Sequence, residues 1–226
     1  MDRGGGGPAP RSTDAMLDTV RTADAVLVSD YGRGLAACPR MREVLESSRV
    51  PVVWDPHPLG PPPVPGVSLA TPNLPEALAF AGTDGPEAAA VLRERWRAAA
   101  VAVTTGARGA VLDRGAGPEP VPAPVVDARD TCGAGDRFAV AAAAALMDGA
   151  DAREAVAAAV EAASRFLARG GLSAAQPERT PEGLIAAVRA AAARSSPPAA
   201  ASTWCTPGTP RPSPRRGPSA TAWWCA

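Results

Sequence analysis

The stretch Asp130-Thr131-Cys132-Gly133-Ala134-Gly135-Asp136-Arg137-Phe138 stands directly before a run of small apolar residues long enough to form a helix. Gly133 and Gly135 let the backbone approach an anion closely. The first turn of a helix offers unpaired N–H groups, and the positive end of its dipole, to negative charge developing on a phosphoryl group. Asp136 falls in that first turn, where a carboxylate can accept the proton of a hydroxyl as it attacks a γ-phosphate. Taken alone, G-A-G-D reads equally as an acid favoured by the helix dipole beside glycines that pack tightly.

Two further groups of residues have chemical spacing. Asn73 and Glu76 stand three apart at the start of a helix opened by Pro75, a pattern that on its own favours helix capping. Thr104-Thr105-Gly106-Ala107-Arg108-Gly109 follows an apolar run and, as a bare pattern, is a hairpin turn. His57 is the only histidine and lies in a Pro-rich loop, where it reads as a loop residue more readily than as a ligand or proton shuttle. Cys38, Cys132, Cys205 and Cys225 form no C-x-x-C pair, so a zinc site would need an unusual ligand set and a reduced protein is the simpler reading. Cys132 reads as a small packing residue, since nothing basic is paired with it.

These residues need a scaffold that brings them to one edge. Apolar runs at 25–29, 50–54, 67–70 and 100–104 read as buried strands, the first two ending in Asp30 and Asp55. Helical stretches at 41–47, after Pro75, and at 86–99 alternate with them. Such alternation implies βαβ units and a mostly parallel sheet, with ligands bound where strands end and helices begin. Three helices follow at 133–147, 152–168 and 181–193, the second closed by Gly170-Gly171. Residues 1–12 are Gly/Pro-rich and irregular.

Composition narrows the chemistry. The 23 basic and 23 acidic residues cancel, which points away from nucleic acid and anionic membrane as partners. Every basic residue is Arg. Without Lys there is no Walker-type phosphate loop, no protein-kinase β3 lysine and no Schiff base. The N-terminus lacks the apolar core of a signal peptide, and no apolar run is long enough to span a bilayer, so a soluble chain is expected, and the cysteine usage adds the expectation of a cytoplasmic one.

D-T-x-G-A-G-D-x-F in this place strongly resembles the signature of the PfkB, or ribokinase-like, carbohydrate kinases, over most of residues 20–193. The resemblance implies an α/β ribokinase-like three-layer fold. It makes Asp136 the catalytic base and Gly133, Ala134 and Gly135 the anion hole. It assigns Asn73 and Glu76 to the N-x-x-E motif that organises Mg²⁺ and phosphate, Glu76 acting on the metal through water. Thr104, Gly106 and Gly109 become the turn beside ATP, and Asp130 and Thr131 join them in nucleotide binding. Ser29-Asp30-Tyr31-Gly32-Arg33-Gly34, Asp55-Pro56 and Thr71-Pro72-Asn73 further resemble the kinase half of the bifunctional heptose 7-phosphate kinase and heptose 1-phosphate adenylyltransferase family. That likeness implies transfer to the anomeric hydroxyl of a heptose 7-phosphate on the way to ADP-heptose; a homodimer is left open. His57 stands where Lys commonly follows Asp-Pro, and Arg137 where a small residue is usual.

The family's N-terminal portion, with its sugar-binding residues and β lid, has no counterpart here, so the fold is expected to be incomplete at that end. The rival expectation to a working kinase is a remnant that at most binds nucleotide. A nucleotidyltransferase reading fails on the single histidine. Residues 194–226 contain no Asp or Glu, are rich in Pro, Ser, Thr and Arg, and are expected to be disordered. Read one nucleotide earlier, Ser202 to Pro210 permits a segment containing H-x-G-H, a nucleotidyltransferase motif. The tail is therefore expected to be an out-of-frame remnant of an adenylyltransferase domain, following a kinase part at 1–193.

Overall fold

The computed structural model describes residues 11–128 and 130–172 and the backbone of 222–225. The sequence-expected helix at 181–193 and most of the tail lie outside the described residues. Helix α1 (Asp14–Thr22) opens the described chain, with Thr13 accepting the Met16 N–H at 3.3 Å as its cap. Sequence reading did not anticipate this helix, because its buried face is only Leu17 and Val20.

There follow β1 (Val26–Ser29), α2 (Pro39–Glu46), β2 (Val52–Asp55), β3 (Leu69–Ala70), α3 (Leu74–Ala81), α4 (Ala88–Trp96) and β4 (Val101–Thr104). β5 (Ala110–Asp113) and β6 (Glu119–Val121) then precede the hairpin of α5 (Ala134–Met147) and α6 (Ala152–Ala168). The last described element is β7 (Ala222–Cys225).

One sheet holds all the described strands, in the order β6-β5-β4-β3-β2-β1-β7. β7, β1, β2, β3 and β4 run parallel, whereas β5 and β6 are antiparallel additions at one edge. The mostly parallel sheet expected from the βα alternation is present. Within the segment expected to be disordered, Ala222–Cys225 instead pair with β1 in register Val26↔Ala222 to Ser29↔Cys225. An apolar four-residue stretch satisfies backbone groups that β1 would otherwise leave open at the sheet edge.

Alternation along the strands builds two cores. Val26, Val28, Val52, Trp54, Val101 and Val103 face the layer of α1 to α4. Leu27, Val53, Leu69, Ala102 and Leu112 face α5 and α6, which present Phe138, Ala139, Ala142, Val156 and Ala159. Small residues on α5 let it lie close to the sheet, and burying each apolar side chain supplies the main stabilisation. Arg93 on α4 pairs with Asp113 of β5, whose side chain is 1% exposed, and so ties the outer helix layer to the antiparallel edge. The result is a three-layer α/β/α fold whose parallel strands all deliver their C-terminal ends to one edge.

Candidate active site

Although α2 and α4 also lack a side-chain cap, α5 alone among the described α-helices has an N-cap in the left-handed region. Its N-cap is Gly133, held at φ 80°, with no side chain accepting from the first turn. The first bond along the helix runs from the Arg137 N–H to the Gly133 carbonyl at 3.0 Å, and the Ala134 N–H turns back to Thr131 at 3.2 Å. The N–H groups of Gly135 and Asp136 precede that first bond, at the positive end of the dipole. A Cβ on Gly133 would meet Leu172 Cγ at 3.2 Å, and one on Gly171 would meet the Asp130 carbonyl at 2.8 Å. The chain beyond α6 therefore buttresses this loop from behind. Asp130 accepts the Cys132 N–H at 2.9 Å, shaping the turn from within.

Beside this helix end lies a cavity of about 220 Å³ whose lining includes Thr104, Gly106, Gly109, Thr131, Ala134 and Gly135. Phe138, Val160 and Leu167 give it an apolar wall from the α5–α6 hairpin. A lining that joins apolar side chains to glycines and threonine hydroxyls suits a heterocycle joined to phosphate. Gly109 sits at φ 96°, and a Cβ there would stand 2.1 Å from the Val121 carbonyl, so the turn after β4 can close only on glycine. Its carbonyl accepts from the Thr105 N–H and hydroxyl at 2.8 and 3.0 Å.

On the other side of the α5 start the strand ends bring acids together. Asp55, at the end of β2, is pushed up to about 7, chiefly by burial; the Thr71 hydroxyl opposes that shift, and Glu76, Asp136 and Asp30 add repulsion. Thr71 donates to Asp55 Oδ1 at 3.0 Å. Glu76 is also raised, again by burial first, while the Asn73 N–H and the nearby His57 pull it back. Asp30 is 4% exposed, with Oδ1 taken by the Gly32 N–H at 2.8 Å and Oδ2 without a hydrogen-bond partner among the described residues. Asp136 itself is exposed, and its Oδ1 accepts from the Tyr31 hydroxyl at 2.9 Å.

Asn73 and Glu76 form a complete capping box on α3: Asn73 Oδ1 accepts from the Glu76 N–H at 3.0 Å, and Glu76 Oε2 from the Asn73 N–H at 2.8 Å. The capping role is thus realised, with Glu76 Oε1 and the Asn73 amide left over for a ligand. Among the described residues no three His, Cys, Asp or Glu side chains converge closely enough to ligate a metal directly.

The sequence-expected residues therefore divide. Thr104, Gly106, Gly109, Thr131, Ala134 and Gly135 share one cavity. Asp136 and Glu76 belong to the acidic side, where each acts electrostatically on Asp55, and Gly133 is the hinge between the two. Asp130 holds the turn and does not line the cavity. Sequence reasoning did not assign Asp30, Tyr31 or Asp55 to the site. The available signal was positional, two parallel strands each ending in an acid.

Comparison with known proteins bears on the whole of this arrangement. The family model described as pfkB family carbohydrate kinase matches residues 12–179. A bifunctional protein HldE of Streptomyces coelicolor is 50% identical over 196 residues, which are 82% of this chain and 41% of that protein. The HldE of Bradyrhizobium diazoefficiens is 35% identical over 148 residues, 61% of this chain and 30% of that protein. The chain thus spans less than half the length of these curated relatives. Among solved structures, Arabidopsis thaliana ribokinase complexed with ribose and ATP aligns with a TM-score of 0.59 at 23% identity, covering 74% of this chain and 57% of that one. Thermotoga maritima ribokinase aligns with a TM-score of 0.56 at 26% identity, covering 76% and 59%.

Proposed function

The chain belongs to the pfkB family of carbohydrate kinases, and on that premise we propose that it transfers the γ-phosphate of Mg-ATP to the anomeric hydroxyl of a heptose 7-phosphate, the D-glycero-β-D-manno form, toward ADP-heptose. The observation that carries this reading is the uncapped start of α5, with Asp136 in its first turn, set between an apolar cavity and a cluster of acids. The HldE relatives support the choice of acceptor.

The cavity fits the adenine and ribose of ATP, and the N–H groups of Gly135 and Asp136 face the place where its terminal phosphates would lie. Glu76 Oε1 fits a Mg²⁺ held through water, because its other oxygen is committed to Asn73 and because magnesium sheds its waters reluctantly. The raised Asp55 and Glu76 mark an edge that repels a further negative charge and favours a cation. Bound there, Mg²⁺ would supply neutralisation of the charge shared by the phosphates. Asp136 takes the proton of the acceptor hydroxyl as its oxygen attacks the phosphorus, and the Gly133–Gly135 loop holds the transferring group with backbone N–H donors.

The test is ADP release from Mg-ATP with D-glycero-β-D-manno-heptose 7-phosphate, with ribose and fructose 6-phosphate as competing acceptors. Heptose-dependent release is the expected result. Release with the other sugars alone overturns the acceptor. ATP binding without release on any sugar overturns the kinase activity and leaves nucleotide binding as what the chain does.

A further inference from the structure

The contact between Tyr31 and Asp136 joins residues 105 apart in sequence, and nothing in the anion hole or the nucleotide cavity requires it. The loop that presents Tyr31 is fixed from several sides. Asp30 donates its backbone N–H to the Asp55 carbonyl at 2.9 Å, and its Oδ1 receives the Gly32 N–H at 2.8 Å, closing a turn around Tyr31. Gly32 has φ 69°, and a Cβ there would lie 2.7 Å from His57 Nδ1. Gly60 packs against Asp30 so closely that a Cβ would fall 1.7 Å from Asp30 Oδ2. His57 in turn accepts the Leu59 N–H at 3.2 Å. Two loops are thus locked together at glycines, and the Tyr31 backbone between them has little freedom.

Asp136 is the opposite case. It is exposed in the first turn of α5, and among the described residues its side chain accepts its hydrogen bond from Tyr31. An exposed carboxylate can rotate and present either oxygen. A proton acceptor contributes most when one oxygen is held at the approach of the attacking hydroxyl.

We propose that Tyr31 is a positioning residue for phosphoryl transfer: its hydroxyl holds Asp136 by Oδ1, so that Oδ2 is presented to the acceptor sugar. This rests on the reading of Asp136 as the base. In the step itself the acceptor O–H bond breaks and its proton passes to Asp136 Oδ2. The acceptor oxygen forms its bond to the γ-phosphorus as ADP departs with the electron pair of the broken P–O bond. Tyr31 keeps its proton throughout, since a phenol at neutral pH is a donor.

Tyr31 is the only tyrosine in the chain, so protein labelled at the tyrosine Cζ carbon gives one signal for it. At neutral pH that signal should move in Asp136→Asn, which removes the charge of the acceptor, and stay in place in Asp148→Asn at the far end of α5. In heptose-dependent turnover, Tyr31→Phe should lower kcat about tenfold to hundredfold, the range for losing a hydrogen bond to a charged group. KM for both substrates should be unchanged, because the ring remains. A signal indifferent to Asp136→Asn shows that the pair does not form and overturns the proposal. A responding signal with unaltered kcat in Tyr31→Phe overturns the positioning role. A responding signal in a wild-type chain that transfers no phosphoryl group is the failure of the kinase reading, and reduces the pair to a structural contact.

Discussion

Helices α5 and α6 are neighbours in one hairpin, yet they begin in opposite ways. α6 opens on Asp151, whose Oδ1 accepts the Glu154 N–H at 2.8 Å while Glu154 Oε2 accepts the Asp151 N–H at 3.0 Å, so its first turn is closed by its own side chains. α5 opens on Gly133 in the left-handed region, with no side chain over its first N–H groups. Both helices pack the same face of the sheet, so burial does not explain the difference. A helix that ends its backbone accounts internally is finished as structure, whereas one left open at the C-terminal edge of a parallel sheet is available to an anion. α3 is intermediate: it carries a full capping box and still leaves Glu76 Oε1 uncommitted beside Asp55.

The largest expected effect lies at the open end. Asp136→Asn keeps the shape of the first turn and removes the proton acceptor, so phosphoryl transfer should fall about a hundredfold to ten-thousandfold, the range of general-base catalysis. ATP affinity measured by calorimetry should be unchanged. Full turnover in this variant would remove the chemical distinction between the two helix starts.

Next comes the acid that faces this end. Asp55 is held near 7 in the folded chain against 3.8 ordinarily, so the folded state keeps a proton that the unfolded chain releases. Its effect on stability is absent below about pH 4, grows unfavourable as pH rises, and is complete above about 7. Asp55→Asn keeps an oxygen for the Thr71 hydroxyl and should stabilise the protein by at most about 4 kcal/mol above pH 7, from about 3 pH units at 1.4 kcal/mol each. Denaturant melts at pH 5 and pH 8 check it. A gain no larger at pH 8 than at pH 5 would contradict burial as the cause.

The sequence made some of this legible and not the rest. The G-A-G-D turn, the capping pattern of Asn73 and Glu76, and the acids at the strand ends are local, and periodicity placed them correctly at one sheet edge. The T-x-G-x-x-G turn was legible because Gly106 and Gly109 need positive φ, at 63° and 96°. What escaped was non-local. The apolar wall from Val160 and Leu167 follows from how α6 docks, and the Tyr31–Asp136 contact depends on two loops meeting across the edge. α1 escaped because it is a nine-residue, mostly polar helix that buries two side chains directly after an irregular Gly/Pro-rich lead-in. β7 escaped because the pairing of Ala222–Cys225 is decided by the vacant edge of β1 rather than by the tail's own pattern.

A smaller effect is expected from forcing a side chain onto the cap of α5. Gly133→Ala places a Cβ at φ 80° and 3.2 Å from Leu172 Cγ, which should cost about 1–2 kcal/mol for the left-handed backbone. The same change should weaken ATP binding, because relief of the strain turns the Gly135 and Asp136 N–H groups away from the phosphates. Equal ATP affinity with lowered stability would show that the cap is structural only.

The smallest effect belongs to the closed helix and serves as the control for all the others. Asp151→Ala removes the Oδ1 that accepts the Glu154 N–H and keeps the backbone N–H that donates to Glu154 Oε2, and loss of such a side-chain cap costs about 1 kcal/mol. Asp151 is exposed and held below the usual carboxylate range, first by the Glu154 N–H, so the stabilisation should fade as Asp151 is protonated at acid pH. The lowered folded value makes the sign definite: the cap contributes above the ordinary carboxylate range and is lost as pH falls through the folded value. Chemical denaturation should therefore separate wild type from Asp151→Ala at neutral pH and bring them together in acid. ATP affinity and turnover should not move at all, because α6 reaches the cavity only through Val160 to Leu167, about two and a half to four and a half turns beyond its cap. If Asp151→Ala lowers ATP affinity as Gly133→Ala does, the two helix starts are coupled through the hairpin, and the open end of α5 owes its function to the closed end of its neighbour.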